Sequence, residues 1–316
     1  MKKSKLITIL MPTYNEKDNI QKIINEIKLK ITKLKIKYDF EILIIDNNSN
    51  DGTQQILKEM AKLDKEIKLI FNLKNFGHTR SPFYGLLQSK GDAVILMSSD
   101  FQDPPELISK YISEWEKGSL VVLGKKINSE ENIVMKIIRK SYYYFLNLIS
   151  YNNLTRDTTG AGLYDSFIID KFKKISDSFP YLRGLISEFY DDIKTIDFIQ
   201  PKRKAGKTKN NLFTLYDLAI LGIVKHSTIP LRVLVFIGFF SSLISFSVSV
   251  FFLFYKLFYW YSFDFGLAPL LVGIYGLFSI MLLILGILGE YIIAILKYSK
   301  NLPLVVEKER INFDNN

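Results

Sequence analysis

The chain has 316 residues, a formal net charge of +10 and no cysteine. This length allows a complete soluble domain and a further region, and the absence of cysteine excludes disulfides and a cysteine nucleophile. The charge alone would also fit a nucleic-acid-binding protein. However, the densest basic run, residues 202–209, shortly precedes a long apolar segment, where lipid head groups or a lipid phosphate are the nearer partners. We therefore expect a membrane partner and no nucleic acid.

Short apolar runs alternate with helical patterns through the first part of the chain. Isoleucines at 20, 23, 24, 27 and 31 recur at helical spacing, and further helices are expected near 53–63 and 81–89. This alternation is typical of a parallel sheet flanked by helices. We therefore predict an α/β domain with a Rossmann-like, mostly parallel sheet. Its predicted strands lie at 6–11, 41–45, 68–71, 93–97 and 120–123.

Acidic side chains follow two of these predicted strands. Asp46 ends the second strand, and Asp100 follows the fourth, with Gln102 two residues later. The carboxyl ends of parallel strands share one edge, which is where open α/β sheets bind ligands. Carboxylate and amide oxygens suit the hard cations that accompany phosphates. A diphosphate substrate is therefore expected at this edge, with Tyr14 available to stack on a base.

Several of these residues also have a purely structural interpretation. Asp103, which precedes two prolines and a glutamate, is typical of a helix N-cap, and we expect it to cap the next helix. Asp46 is equally typical of a residue that starts a turn, and residues 15–18 of a helix start. His78 and His226 are the only histidines, and both are expected to be structural.

Two apolar stretches predict transmembrane helices. Residues 233–255 and 267–289 carry no charge over 23 residues each, and roughly 20 apolar residues suffice to cross a bilayer. Lysine and arginine lie on the outer flanks of the pair, so the positive-inside rule puts both termini in the cytoplasm. We therefore expect a multi-pass protein of the inner (cytoplasmic) membrane, with its catalytic domain on the cytoplasmic side.

These patterns divide the chain into a soluble domain and a membrane region. Within the soluble domain, a helix at about 133–150 has an apolar face and several tyrosines. It suits the membrane interface, packing against the domain, or contact with a second copy of the chain. The predicted parts are the catalytic domain (1–210), an amphipathic juxtamembrane segment (211–232), two transmembrane helices within 233–296 (about 233–255 and 267–291) and a cytoplasmic tail (297–316).

Six short segments match, in order, the patterns P-x-Y-N-E, D-D-x-S-x-D-G-T, N-x-G, D-x-D-x-Q-x-P-P-E, R-x-x-G-x-S-K and P-L-R. They are residues 12–16, 46–53, 75–77, 98–106, 203–209 and 230–232. This ordered set, with two C-terminal spans, resembles the family-two glycosyltransferases of the GT-A fold. It is most similar to the polyprenyl-phosphate type, which includes dolichol-phosphate mannose synthase and the bactoprenol glucosyl transferases.

The resemblance implies a single, inverting transfer of one sugar from a nucleotide-diphosphate sugar to polyprenyl phosphate, in cell-envelope glycan synthesis. It also implies a divalent cofactor, Mg²⁺ or Mn²⁺, and assigns roles to nine residues. These are Pro12, Tyr14, Glu16 and Asp46 on the nucleotide, Asp100 (the catalytic residue) and Gln102 on the metal, and Arg139, Arg203 and Lys207 on the acceptor phosphate.

The chain departs from the family patterns at three places. Asn47 replaces the second aspartate of the nucleotide loop, Ser98 replaces the first acid of D-x-D, and residues 124–126 end in lysine rather than arginine. Because a hydroxyl is a poorer metal ligand than a carboxylate, we expect weaker cation binding or more reliance on the diphosphate. Two alternatives stay open: transfer to a hydroxyl of a glycolipid or polysaccharide, with Glu188 as the base, and a non-catalytic membrane scaffold.

Overall fold

The computed structural model describes residues 4–128, 141, 158–175, 177–201, 219–220, 222–224, 227–259, 267–299 and 302–313. Within them a single sheet is formed by β1 (Lys5–Thr13), β2 (Tyr38–Asp46), β3 (Ile67–Asn72), β4 (Ala93–Leu96), β5 (Val121–Asn128), β6 (Thr158–Asp165), β7 (Lys194–Ile199) and β8 (Glu307–Ile311). The strand order is β7-β5-β6-β4-β1-β2-β3-β8. β1 pairs in parallel with β2 and β4, β2 with β3, and β5 with β7, whereas β6 and β8 are antiparallel to their neighbours.

Helices cover both faces of the sheet. They are α1 (Ile20–Ile31), α2 (Thr53–Leu63), α3 (Gly77–Gln88), α4 (Leu107–Glu116), α5 (Ser166–Phe172) and α6 (Leu182–Phe189), with a 3-10 turn at Leu34–Ile36. The isoleucine face of α1 packs with Ile9 and Ile44 on one side of the sheet, and Phe83 of α3 packs with Leu10 and Leu43 on the other. Strands buried on both faces have continuous apolar sequences. The predicted α/β class and the mostly parallel sheet are therefore confirmed.

The parallel register brings three strand ends to one edge. Thr13 of β1 lies opposite Asp46 of β2, and Leu10 lies opposite Leu96 of β4. The antiparallel strand β6 enters at this same edge, where Gly162 pairs with Leu96. A Cβ atom on Gly162 would lie 2.2 Å from the Val122 carbonyl oxygen, so only glycine permits this approach.

The last described segment adds a strand to the sheet. Residues 297–316 are predicted to be a cytoplasmic tail, but Glu307–Ile311 forms β8, which is antiparallel to β3 with Arg310 opposite Ile70. Asn312 follows with φ of 62°. Its Nδ2 donates to the carbonyl oxygens of Ala61 (2.7 Å) and Ile67 (2.8 Å). Residues 307–312 are therefore part of the α/β domain.

Two long apolar helices, α7 (Ile229–Phe258) and α8 (Leu267–Ser299), precede β8. Each is long and apolar enough to cross a membrane, over Ile229–Val248 and Gly276–Leu296 respectively. The Tyr291 hydroxyl of α8 donates to the carbonyl oxygen of Ser227, just before α7, at 3.0 Å. The predicted pair of C-terminal apolar helices is confirmed, and both helices are longer than predicted. Apart from residue 141, the predicted helix at 133–150 lies outside the described residues, as does half of the segment 211–232.

Candidate active site

Asp46 lies at the end of β2 and is 1% exposed. Its Oδ1 accepts hydrogen bonds from the Ser49 backbone N–H (2.9 Å) and from Gln54 Nε2 (2.7 Å). Its Oδ2 is buried and has no hydrogen-bond partner among the described residues. Burial raises the pKa of Asp46, and the bonds from Ser49 and Gln54 oppose that rise. Asp46 therefore starts the turn, as one interpretation expected, and its Oδ2 is a buried acceptor without a partner among the described residues.

The segment after β1 interlocks with this turn. Asn15, at φ of 55°, donates its backbone N–H to Ser49 Oγ at 2.7 Å. The Glu16 N–H donates to Thr53 Oγ1 at 3.0 Å, and its Oε2 accepts from Asn19 Nδ2 at 2.7 Å. The structure thus brings the predicted nucleotide-binding residues to one edge of the sheet. They are Pro12, Tyr14 and Glu16, all half-buried, beside the buried Asp46.

Asp100 and Gln102 lie on a tightly held loop after β4. Phe101 between them has φ of 67° although its side chain is 3% exposed. A bulky residue in this left-handed region costs on the order of 1–3 kcal/mol. Asp100 Oδ1 accepts the Gln102 N–H at 3.1 Å, and Ser98 and Asp103 bond reciprocally across the loop. These bonds and the buried ring offset the strain and fix the loop.

The predicted N-cap role of Asp103 is wrong. Helix α4 begins at Leu107, and Glu106 precedes it without a side-chain cap. The two prolines form a turn first, because the Leu107 N–H donates to the Pro104 carbonyl oxygen at 3.0 Å. Asp103 instead accepts the Ser98 N–H through Oδ2 at 2.8 Å, and its own N–H donates to Ser98 Oγ at 3.2 Å. Asp103 therefore stabilises the loop through its two hydrogen bonds with Ser98.

Ser98 stands where the family pattern has an acid, and its hydroxyl is used within the loop. The donor set left for a divalent cation is the carboxylate of Asp100 and the side-chain amide of Gln102. No group of three acidic, histidine or cysteine side chains suited to a metal occurs among the described residues. Mg²⁺ commonly takes one or two protein carboxylates, several waters and substrate phosphates. The residues present fit such a cation if the diphosphate supplies the remaining ligands.

A cavity of about 260 Å³ lies beside this loop. Its walls include Pro12 and Gln102 and three basic side chains: His78, Lys126 and Arg183. Arg183 on α6 is oriented by a 2.8 Å bond from Nη1 to the Thr158 carbonyl oxygen. Partial desolvation of the imidazole, and then the charge of Arg183, lower the pKa of His78, so the positive charge of the wall comes from Lys126 and Arg183. These two cations suit the cavity to a phosphate-bearing ligand.

Part of this cavity is not predictable from the sequence patterns. His78, expected to be structural, is part of the cavity wall, and no motif marks Arg183 or Gln200. Glu188, the base considered for a hydroxyl acceptor, is exposed on α6 and does not line the cavity. The predicted acceptor residues Arg139, Arg203 and Lys207, like His226, lie outside the described residues.

Known proteins resemble this chain over most of its length. A family model described as Glycosyl transferase family 2 matches residues 8–172. The protein named uncharacterized glycosyltransferase YkcC of Bacillus subtilis is 31% identical, over 98% of this chain and 95% of its own. Bactoprenol glucosyl transferase of Shigella phage SfV is 30% identical, over 96% of this chain and 98% of its own.

Among solved structures, glucosyl-3-phosphoglycerate synthase from Mycobacterium tuberculosis, in complex with Mn²⁺, uridine diphosphate and phosphoglyceric acid, superposes with a TM-score of 0.49 at 16% identity. The superposition covers 70% of this chain and 76% of that one. The resemblance inferred from the short motifs is confirmed by the family model and the two sequence relatives. The chain belongs to glycosyl transferase family 2 and is a glycosyltransferase.

Proposed function

We propose that this glycosyltransferase moves one sugar from a nucleoside-diphosphate sugar to a polyprenyl phosphate at the cytoplasmic face of a membrane. A single displacement would invert the anomeric centre. The observation that carries the proposal is the buried Oδ2 of Asp46 at the carboxyl edge of the sheet, which has no partner within the described part of the chain. A ribose hydroxyl or a base N–H satisfies such an acceptor.

The donor site extends from Asp46 to the loop after β4. Pro12, Tyr14 and Glu16 complete the nucleotide side, and Asp100 and Gln102 would hold Mg²⁺ or Mn²⁺ near the diphosphate. When bound, the cation supplies Lewis-acid stabilisation of the departing diphosphate. Asp103 and Ser98 keep the loop in place, so Asp100 and Gln102 do not have to be ordered when the donor binds.

The proposal of a phosphate acceptor is supported by the positive charge of the cavity wall. Lys126 and Arg183 give the cavity wall positive charge, and Gln200 on this wall lies three residues before Arg203 in the sequence. A polyprenyl phosphate is already an anion, so no base is needed to activate it. This agrees with the exposed position of Glu188. The relative in phage SfV is named a bactoprenol glucosyl transferase, which supports a lipid phosphate acceptor.

The membrane orientation is supported by β8. Both ends of the helix pair α7–α8 connect to one sheet, so the chain must return to the side from which it left. Two crossings meet this requirement. The basic residues flanking the pair favour the cytoplasm for that side.

The test uses the full chain in lipid with undecaprenyl phosphate and a panel of labelled nucleotide sugars. We expect one label to enter an acid-labile lipid. Asp46→Asn should lower kcat/KM about 10- to 100-fold, which corresponds to the free energy of one hydrogen bond to a charged group. Asp39→Asn, an exposed site on the same strand, is the matched control and should leave the rate unchanged. Label found only in polymer, or equal rates for the two variants, would contradict the proposal.

A further inference from the structure

A buried amide connects the turn after β2 to the start of α3. Asn47 Oδ1 accepts from Asn72 Nδ2 at 3.0 Å and from the Phe76 backbone N–H at 2.9 Å. Asn47 Nδ2 donates to the Gly77 carbonyl oxygen at 3.2 Å. Asn47 is 7% exposed and Asn72 is fully buried, so water does not replace these bonds readily.

These bonds join the two sides of the candidate site. Asn47 directly follows Asp46, and Gly77 is followed by His78 and Thr79, which line the cavity. Asn72 also donates from Nδ2 to Ser81 Oγ, one turn further along α3, at 3.2 Å. The Asn47 side chain therefore sets the position of the nucleotide turn relative to the first turn of α3.

This arrangement needs an amide. A carboxylate only accepts hydrogen bonds, so an ionised aspartate at position 47 would face the Gly77 carbonyl oxygen without a proton between them. It would also add a buried negative charge next to Asp46. The aspartate of the family pattern is thus incompatible with the bonds made here.

We propose that Asn47 is a positioning residue of the donor site, and that restoring the family's aspartate would impair this enzyme. The effect on catalysis rests on the proposed function. The structural effect does not, because it depends only on the bonds to Asn72, Phe76 and Gly77.

The test variant is Asn47→Asp in the full chain, and Asn50→Asp is the matched control. Asn50 lies in the same turn with its side chain exposed. At pH 8 we expect Asn47→Asp to melt below the native protein, because the Gly77 carbonyl oxygen loses its donor and faces a carboxylate oxygen instead. This repulsion should open the segment locally and raise amide exchange at Phe76 and Gly77 about tenfold or more. Asn50→Asp should match the native protein in both measurements.

Acidification should rescue the variant. A protonated carboxyl has one O–H donor and one carbonyl acceptor, so the neutral carboxyl of Asn47→Asp can reproduce the three bonds of the amide. A buried acid of this kind has a folded-state pKa above the unfolded value of about 3.9. The destabilisation is therefore complete above the folded-state pKa and shrinks as the pH falls towards 4. We expect the melting difference between variant and native protein to be smaller at pH 5 than at pH 8.

Other ionisable groups near position 47 are shared by both proteins. They are Asp46 on β2, His78 on α3, and Lys74 and Arg80, which lie over the Phe76 ring at 5.3 and 5.1 Å from its centroid. Subtracting the native profile removes their contribution. In parallel, UDP affinity measured by calorimetry should be about tenfold weaker for Asn47→Asp than for the native protein at pH 8, with recovery at pH 5.5.

The proposal is overturned if Asn47→Asp equals or exceeds the native protein at pH 8, if its defect is the same at every pH, or if Asn50→Asp shows the same defect. Loss of the predicted lipid product with the pH rescue intact would count against the proposed function alone. The predicted lipid product without the pH rescue would count against the positioning role alone.

Discussion

Asn312 offers a direct test of how firmly the end of the chain is attached to the catalytic domain. Its side chain donates to the carbonyl oxygens of Ala61 and Ile67 at 2.7 and 2.8 Å, with a longer bond to the Asp64 carbonyl oxygen at 3.3 Å. Each good bond is worth about 1 kcal/mol net. Removing them should therefore cost about 2 kcal/mol.

The backbone at Asn312 lets two substitutions separate the contributions. Both variants lose the hydrogen bonds, but Asn312→Gly also removes the Cβ that the native residue holds at φ of 62°, whereas Asn312→Ala keeps a Cβ without asparagine's tolerance for this region. Alanine should therefore be less stable than glycine by about 1 kcal/mol, with losses of about 1–2 kcal/mol for glycine and about 2–3 kcal/mol for alanine. In a domain of this size these correspond to melting temperatures lower by about 2–8 °C and 4–12 °C.

The assay is thermal unfolding of the full chain in lipid nanodiscs, followed by tryptophan fluorescence, with amide exchange of residues 307–311 measured in parallel. Lys308→Ala, an exposed site on β8, is the control and should stay within about 0.5 kcal/mol of the native protein. If both Asn312 variants melt with the native protein and β8 exchanges no faster, the side-chain bonds contribute nothing and the reasoning is wrong.

Two further predictions concern the donor site. Because burial raises the pKa of Asp46, nucleotide affinity should fall on acidification at a higher pH than the ordinary aspartate pKa of about 3.9 predicts. Asp46→Asn should abolish this pH dependence. Nucleotide titrations at a series of pH values measure both effects. Ser98→Asp adds a carboxylate beside Asp100, so the Mn²⁺ concentration that gives half-maximal activity should be at least about threefold lower than for the native protein. An unchanged Mn²⁺ requirement would show that position 98 does not face the cation.

The parallel half of the sheet could be predicted from sequence because its strands are buried on both faces and are therefore continuously apolar. The remaining strands lack this signal. β6 contains Gly160 and Gly162 and begins with two threonines, and four of the five residues of β8 are charged. An edge strand exposed to water needs no apolar run, so the sequence of β8 resembles a solvated tail.

Some residues of the candidate site could likewise be predicted from the sequence, and others could not. Asp46 and Asp100 could be located because parallel strands present their ends at one edge. Arg183 could not, since only the packing of α6 brings it into the cavity. His78 had a signal, because it directly follows the Asn75-Phe76-Gly77 motif. The N-cap prediction for Asp103 failed because a proline turn separates it from α4, which frees its carboxylate to bond with Ser98.

The position of β8 imposes an order on biosynthesis. Lys58 on α2 and Glu309 on β8 form an ion pair although 251 residues separate them in the chain. The ribosome synthesises both apolar helices before β8, so β3 keeps an unpaired edge until β8 has been made. Unpaired edges invite aggregation. A chain truncated before β8 would therefore expose this edge to chaperones and proteases.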